Sequence, residues 1–214
     1  MGSDLGKAVV VAMLVAWGAS AWAASVMSES VRELANYVKA ASTLVLQTTA
    51  GLERVNFAAL RGKDRELARA RVETLSKSLG EISNANAPLV NALDFYVARA
   101  KSGSTTEAAL ESLWKSTIQE PAVELRQKVR AARKFAEDSD LVAIKLTEAE
   151  YNALKDNLRM RSIVVERVEK IPAPSTPDDV LQVESVLSHY KILVEQLLRL
   201  RAVVDGALRK LKSG

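Results

Sequence analysis

Apolar residues recur along this chain at alternating steps of three and four, the spacing that lines one face of an α-helix. The first series reads Val31, Leu34, Val38, Ala41, Val45, Thr48, Leu52, Val55 and Ala59 without a slip. That is the seam of a left-handed bundle or coiled coil. It predicts a helix from about Ser28 to Arg61, stopped by Gly62, with Asp64 capping the next. So short a turn implies an antiparallel hairpin.

A second series follows: Ala68, Val72, Leu75, Leu79, Ile82, Asn86, Leu89, Leu93, Tyr96 and Ala100. Its register survives Pro88, so one kinked helix is expected, even though proline removes a helical hydrogen bond. Asn86 is placed to bond the carbonyl that Pro88 leaves free. Ser104 with Glu107 reads as a capping box opening a third helix. The seam there is rougher (Leu110, Trp114, Ile118, Ala122, Leu125, Val129, Ala132, Ala136), and Pro121 either kinks or splits it. Leu141 to Leu146 is expected to form a helical turn. Thr147 with Glu150 is another capping box, flanked by the hydrophobic-staple pair Leu146 and Tyr151. The fourth helix runs to about Lys170.

The segment Ile171 to Pro177 is a stiff extended connector. Thr176 caps the last helix, Pro177 takes its first position, and Asp178 and Asp179 complement its dipole. That helix, to about Lys212, has the widest apolar face. The class predicted is all-α: an elongated up-and-down bundle of four to five helices with heptad-like seams. On its outer faces Glu73–Lys77, Glu111–Lys115, Glu124–Lys128, Glu166–Lys170, Glu195–Arg199 and Asp205–Arg209 have i,i+4 spacing in the favourable order.

One stretch departs from amphipathic patterning. Ala8 to Ser28 carries no charge, between Lys7 and Glu29. Its apolar start gives way to small residues, and Ala21-Trp22-Ala23 fits a secretory cleavage pattern. On that reading residues 1–23 are a signal peptide and 24–214 the helical bundle domain. The alternative keeps residues 8–28 as a membrane anchor, since roughly 20 apolar residues cross a bilayer. Both place the bundle outside the cytoplasm, either periplasmic or secreted, or held at the inner membrane.

Composition narrows this further. There is no cysteine among the 214 residues, so disulfides and thiolate chemistry are excluded. None of the seven asparagines begins an Asn-x-Ser/Thr acceptor. Together these lean towards a bacterial cell envelope. A net charge of +4 is compatible with anionic partners but far below a nucleic-acid-binding composition, and none is expected.

Candidate chemistry is sparse. His189 is the only histidine and lacks Glu-x-x-His or His-x-x-x-His company, so it reads as a boundary residue. No catalytic, cofactor or metal site is read. Arg126, Arg130, Arg133 and Lys134 share a helical face, either a solvated surface or a patch for lipid headgroups, envelope polymers or an acidic protein. Arg65, Arg69, Arg71 and Lys77 would extend that patch if the helices are adjacent. Gln47, Thr48, Thr49 and Asn56 interrupt an apolar helix and, with Tyr37 or Tyr96, are candidates for a small pocket; the other reading is that they fix register. Arg201 on the last seam either snorkels out or pairs with a neighbouring carboxylate. The function expected is non-enzymatic: a binding or scaffold module, with a protein or anionic envelope partner and the capacity to self-associate. The alternatives are a membrane-anchored accessory or assembly subunit, and a helical enzyme whose site the sequence conceals.

Overall fold

The computed structural model describes the backbone of residues 4–138, 144–174 and 176–213, with side chains from residue 28 onward. The helices are α1 (Asp4–Arg54), α2 (Gly62–Lys101), α3 (Glu107–Trp114), α4 (Glu120–Asp138), α5 (Glu148–Lys170) and α6 (Pro177–Ser213), and no strand occurs among the described residues. A π-helical turn, Lys115–Gln119, joins α3 to α4. The two therefore form one rod, and five rods make up an all-α bundle.

The rods close a ring in the order α1, α6, α2, α4, α5 and back to α1. Each reverses direction relative to its predecessor in sequence, and a ring with an odd number of members must then contain one parallel pair. That pair is α1 and α6, where Gln196 Nε2 donates to Ser42 Oγ. The expected side-by-side hairpin of α1 and α2 is therefore corrected, because α6 lies between them.

This placement also explains why α1 ends at Arg54 and not near Arg61. Crossing a helix means spanning two interaxial distances of 8–10 Å each. Seven helical residues advance only about 10 Å, whereas extended they reach about 23 Å. The chain from 55 to 61 uncoils accordingly, retaining only a 3₁₀ turn at Phe57–Ala59. That turn packs against α6. Phe57 is buried there, while Ala59, predicted for the core, is exposed. Arg65 completes the join, donating from Nε and Nη2 to the Leu211 carbonyl at the end of α6. Gly62, at φ +53°, turns the chain into α2.

The rough third seam has a structural cause. Trp114, Ile118 and Ala122 are buried at successive steps of four. Each such step lags an α-helix of 3.6 residues per turn by about 40°. The wider π turn takes up that lag and precedes Pro121, which cannot donate to a preceding carbonyl. The helix starts two residues later than Ser104 implies: Thr106 is the cap, accepting from the Ala109 amide. Trp114 then closes the lower end of the bundle. It meets Tyr96 edge-on, with centroids 4.9 Å apart. Its Nε1 donates to the Ile171 carbonyl just beyond α5.

Pro88 lies inside an unbroken α2, as its register implied. Asn86, however, donates to the Ile82 carbonyl, one turn behind itself. Leu141 to Ala143 lie outside the described residues; beyond them Ile144 is buried and Lys145 adopts φ 58°. The capping box of α5 forms as predicted. At α6, Thr176 and Asp179 exchange both bonds, so Asp179 closes a second box in addition to complementing the dipole.

At the upper end α1 and α5 touch closely. A Cβ at Gly51 would stand 2.5 Å from the Glu150 carboxyl carbon, so only glycine lets that side chain lie across α1. Glu150 receives Arg54 at 2.7 Å and the Thr147 amide. The Arg54 hydrogen bond holds its pKa down, from an ordinary 4.5 to about 2. A depressed carboxyl contributes stability above its unfolded pKa and loses it as the pH falls through the folded one. The urea-midpoint gap between the wild type and Glu150→Gln is therefore expected to be constant from pH 7 to about 5. It should narrow steadily below that, and a gap independent of pH would contradict the assignment.

Candidate functional site

Midway along the bundle, side chains from three helices and carbonyls from two form a buried polar layer. Asn157 of α5 donates to the Ala41 carbonyl of α1 at 3.1 Å. Arg161, one turn on, donates from Nε to Asn157 Oδ1 at 2.9 Å and from Nη1 to the Leu193 carbonyl of α6 at 2.7 Å. From α6, Tyr190 donates to Asn86 of α2. Arg161 is only 3% exposed, and among the described residues no carboxylate pairs with it and its Nη2 has no hydrogen-bond partner. Burial lowers its pKa to about 10, opposed by the neighbouring Tyr190, whose own pKa burial raises.

The pocket expected around Thr48, Thr49, Asn56 and Tyr96 does not assemble. Thr48 and Thr49 are buried but return their hydroxyls to the Leu44 and Val45 carbonyls of their own helix. Asn56 is exposed and caps nothing with its side chain. Tyr96 lies at the other end of the bundle, edge-on to Trp114; burial, and secondarily Asp179, push its pKa to about 12.

Three members of the predicted basic patch face carboxylates. Arg126 pairs with Glu169 at 3.1 Å, Arg130 with Glu166 at 3.8 Å and Arg133 with Glu137 at 2.7 Å. Lys134 is exposed. The face is thus largely an α4–α5 seam, not a free cationic stripe, and Arg65 is engaged on α6. His189 Nδ1 sits 2.8 Å from the Ser185 carbonyl, as a boundary residue does. Among the described residues no group of three or more potential metal ligands occurs.

Two concave features stand out. A cleft of about 530 Å³ opens at the lower end, between the end of α2, the start of α3, the connector and the start of α6. Its walls are mostly apolar, including Ala100, Leu110, Pro174, Val180 and Leu181, with Lys101 and Glu107 at the rim. Leu181 is 59% exposed. Leu181 precedes Gln196 by fifteen residues, the interval separating residue 27 from Ser42, so the cleft is level with the end of the uncharged run. Separately, two shallow depressions follow one another along the outer junction of α1 and α6, and a third continues on α6 alone towards its end.

Neither concavity announced itself as a site. The cleft was foreshadowed only by the proline-rich connector, and the buried Asn157 and Arg161 only by polar residues one turn apart on a helix whose buried face, Ser162 aside, is otherwise apolar. No family model, curated protein or solved structure matches this chain. The class defined by the fold is a five-rod all-α bundle.

The polar layer predicts a specific stability pattern. Arg161→Ala orphans two acceptors and leaves a void, and is expected to cost about 2–4 kcal/mol. The apolar pair Asn157→Leu with Arg161→Met removes the buried charge altogether and should fall within about 1 kcal/mol of the wild type or above it. Chemical denaturation of both variants checks this; a double variant less stable than Arg161→Ala would contradict it.

Proposed function

We propose that this chain is a non-enzymatic helical-bundle binding module of a cell envelope, working outside the cytoplasm and holding an apolar group in the cleft at its lower end. The observation that carries this reading is the cleft itself. Its volume lies within the range of ligand sites, and apolar walls with a few polar groups at the rim are their usual lining. Support for the location comes from the uncharged run of residues 8–28 and its Ala-x-Ala end. The division at residue 23, and the choice between cleavage and anchoring, fall on residues whose side chains lie outside the described set.

A direct test titrates the purified chain with a fluorescent probe bearing a twelve-carbon acyl tail. Saturable binding at one site is expected, weakened at least tenfold by Leu181→Asp. That position is exposed, so the fold should survive, as circular dichroism will check. Absence of saturation, or an unchanged titration with the variant, would refute the reading.

One observation favours a second reading, a membrane-anchored subunit of a larger assembly. The helix α1 is continuous from Asp4 to Arg54, with no break between the uncharged run and the bundle. Among the described side chains no helix is long and apolar enough to cross a membrane, so anchoring would fall to residues 8–28. On this reading the native protein stays with membranes through alkaline carbonate extraction. On the first reading it is released, with an intact mass that begins at Ala24.

A further inference from the structure

The outer junction of α1 and α6 is the bundle's one parallel contact, and its upper part, from Ser42 to Phe57 on one side and Ile192 to Lys210 on the other, is concave. The lowest depression, about 230 Å³, contains Ser42, Leu46, Ile192 and Arg199. The next, about 320 Å³, shares Arg199 and continues past Phe57 to Gly206 and Lys210. The uppermost, about 590 Å³ and more open, lies on α6 alone beyond the end of α1; it shares Gly206 and Lys210 and adds Arg209 and Lys212. Together they make a trough some twenty residues long on α6, roughly 30 Å at the helical rise. Two large apolar side chains project at its lower end: Leu46 is 55% exposed and Ile192 45%.

The charge along the trough is uneven for a traceable reason. Arg209 would ordinarily be answered by Asp205 one turn before it. Asp205 instead turns to Arg201 and to the Ser76 hydroxyl of α2. Gly80 of α2 faces the Arg201 guanidinium, where a Cβ would stand 3.5 Å from its carbon, in ordinary contact. Arg209 and Lys210 consequently have no ion pair among the described residues, and neither does Arg199. Lys212 is held by Glu73 of α2. The carboxylates lining the trough are Glu195 at its lower end and Glu53 on the α1 side. The upper half is thus basic and the lower half apolar with balanced charge.

From this geometry we infer that the α1–α6 trough is a docking surface for an amphipathic helix of a partner protein whose polar face is acidic at the end meeting Arg209 and Lys210. A helix laid in a groove between two helices is an established mode of recognition, with apolar anchors at i, i+3, i+4 and i+7. Leu46 and Ile192 meet those anchors. Arg199, Arg209 and Lys210 meet carboxylates and set the direction in which the helix lies. The surface shares no lining residue with the lower cleft.

The test uses the full chain and two synthetic peptides of twenty residues with the same Leu/Ala stripe, one bearing Glu on its polar face and one bearing Lys. Fluorescence anisotropy should show the Glu peptide binding at least tenfold more tightly than the Lys peptide. That preference should shrink as salt rises, because exposed charges are screened beyond about 10 Å at 0.1 M. Arg199→Glu with Arg209→Glu and Lys210→Glu should abolish or invert it. Leu46→Ser with Ile192→Ser should weaken both peptides equally at every salt concentration. All five positions are at the surface, and unchanged thermal unfolding confirms that the variants fold. Equal binding of the two peptides, no binding of either, or a preference untouched by charge reversal would each overturn the inference. So would binding of vesicles rich in anionic lipid that competes with the Glu peptide, since the surface would then read charge without a helix.

Discussion

The bundle is organised by Arg161. A guanidinium placed 97% out of solvent, with no carboxylate partner among the described residues, is costly to bury, and it is tolerated only where carbonyls and amides are held in position around it. Here those acceptors come from Asn157 on its own helix and from the Leu193 carbonyl of α6, while Asn157 reaches the Ala41 carbonyl of α1. The layer therefore ties α5 to both members of the parallel pair. A slip of α5 against α6 would part Arg161 from the Leu193 carbonyl, and a slip against α1 would part Asn157 from the Ala41 carbonyl, a penalty apolar seams alone do not impose. Leucine and valine at repeating positions tolerate displacement by a heptad, whereas a single polar layer does not.

The insertion of α6 between α1 and α2 follows the same logic. Asn86 and Tyr190 bond α2 to α6, and Arg161 bonds α5 to α6, so the last helix meets polar demands on both sides. The ends are then closed by groups that answer helix termini: Arg65 on the last carbonyls of α6, Trp114 and Gln119 on those beyond α5, and Thr176 with Asp179 on the first amides of α6. Free helix ends leave four unsatisfied groups each, and in a bundle of long rods these are the places where packing would otherwise fray.

Periodicity made most of the architecture legible. Every member of the α2 seam from Ala68 to Tyr96 is buried, and α5 and α6 begin at the caps read from Thr147 and Thr176. What it could not reveal was which rods are neighbours. A short link between two helical patterns looks like a hairpin, and only the uncoiled path over α6 shows otherwise. The i,i+4 pairs failed for a related reason. Glu166 and Lys170 close theirs, but Glu73 turns to Lys212 of α6, and Asp205 turns to Ser76 of α2 and to Arg201 one turn before it on its own helix. The candidate sites were least legible of all. Thr48 and Thr49 satisfy themselves locally, and the arginines of α4 meet carboxylates of α5 that no local pattern links to them. A cleft or trough between rods is a property of adjacency and becomes visible only once adjacency is known.

The absence of cysteine makes the central claim, that the polar layer holds α1 and α6 side by side and parallel, open to a direct measurement. Ser42→Cys with Gln196→Cys places two thiols where the native side chains hydrogen-bond across that junction. A short bis-maleimide should join them quantitatively in the wild-type background. It should join them only partially when Asn157→Leu and Arg161→Met have removed the layer. Failure of the pair to cross-link in the wild-type background, or equal cross-linking with and without the layer, would contradict the account.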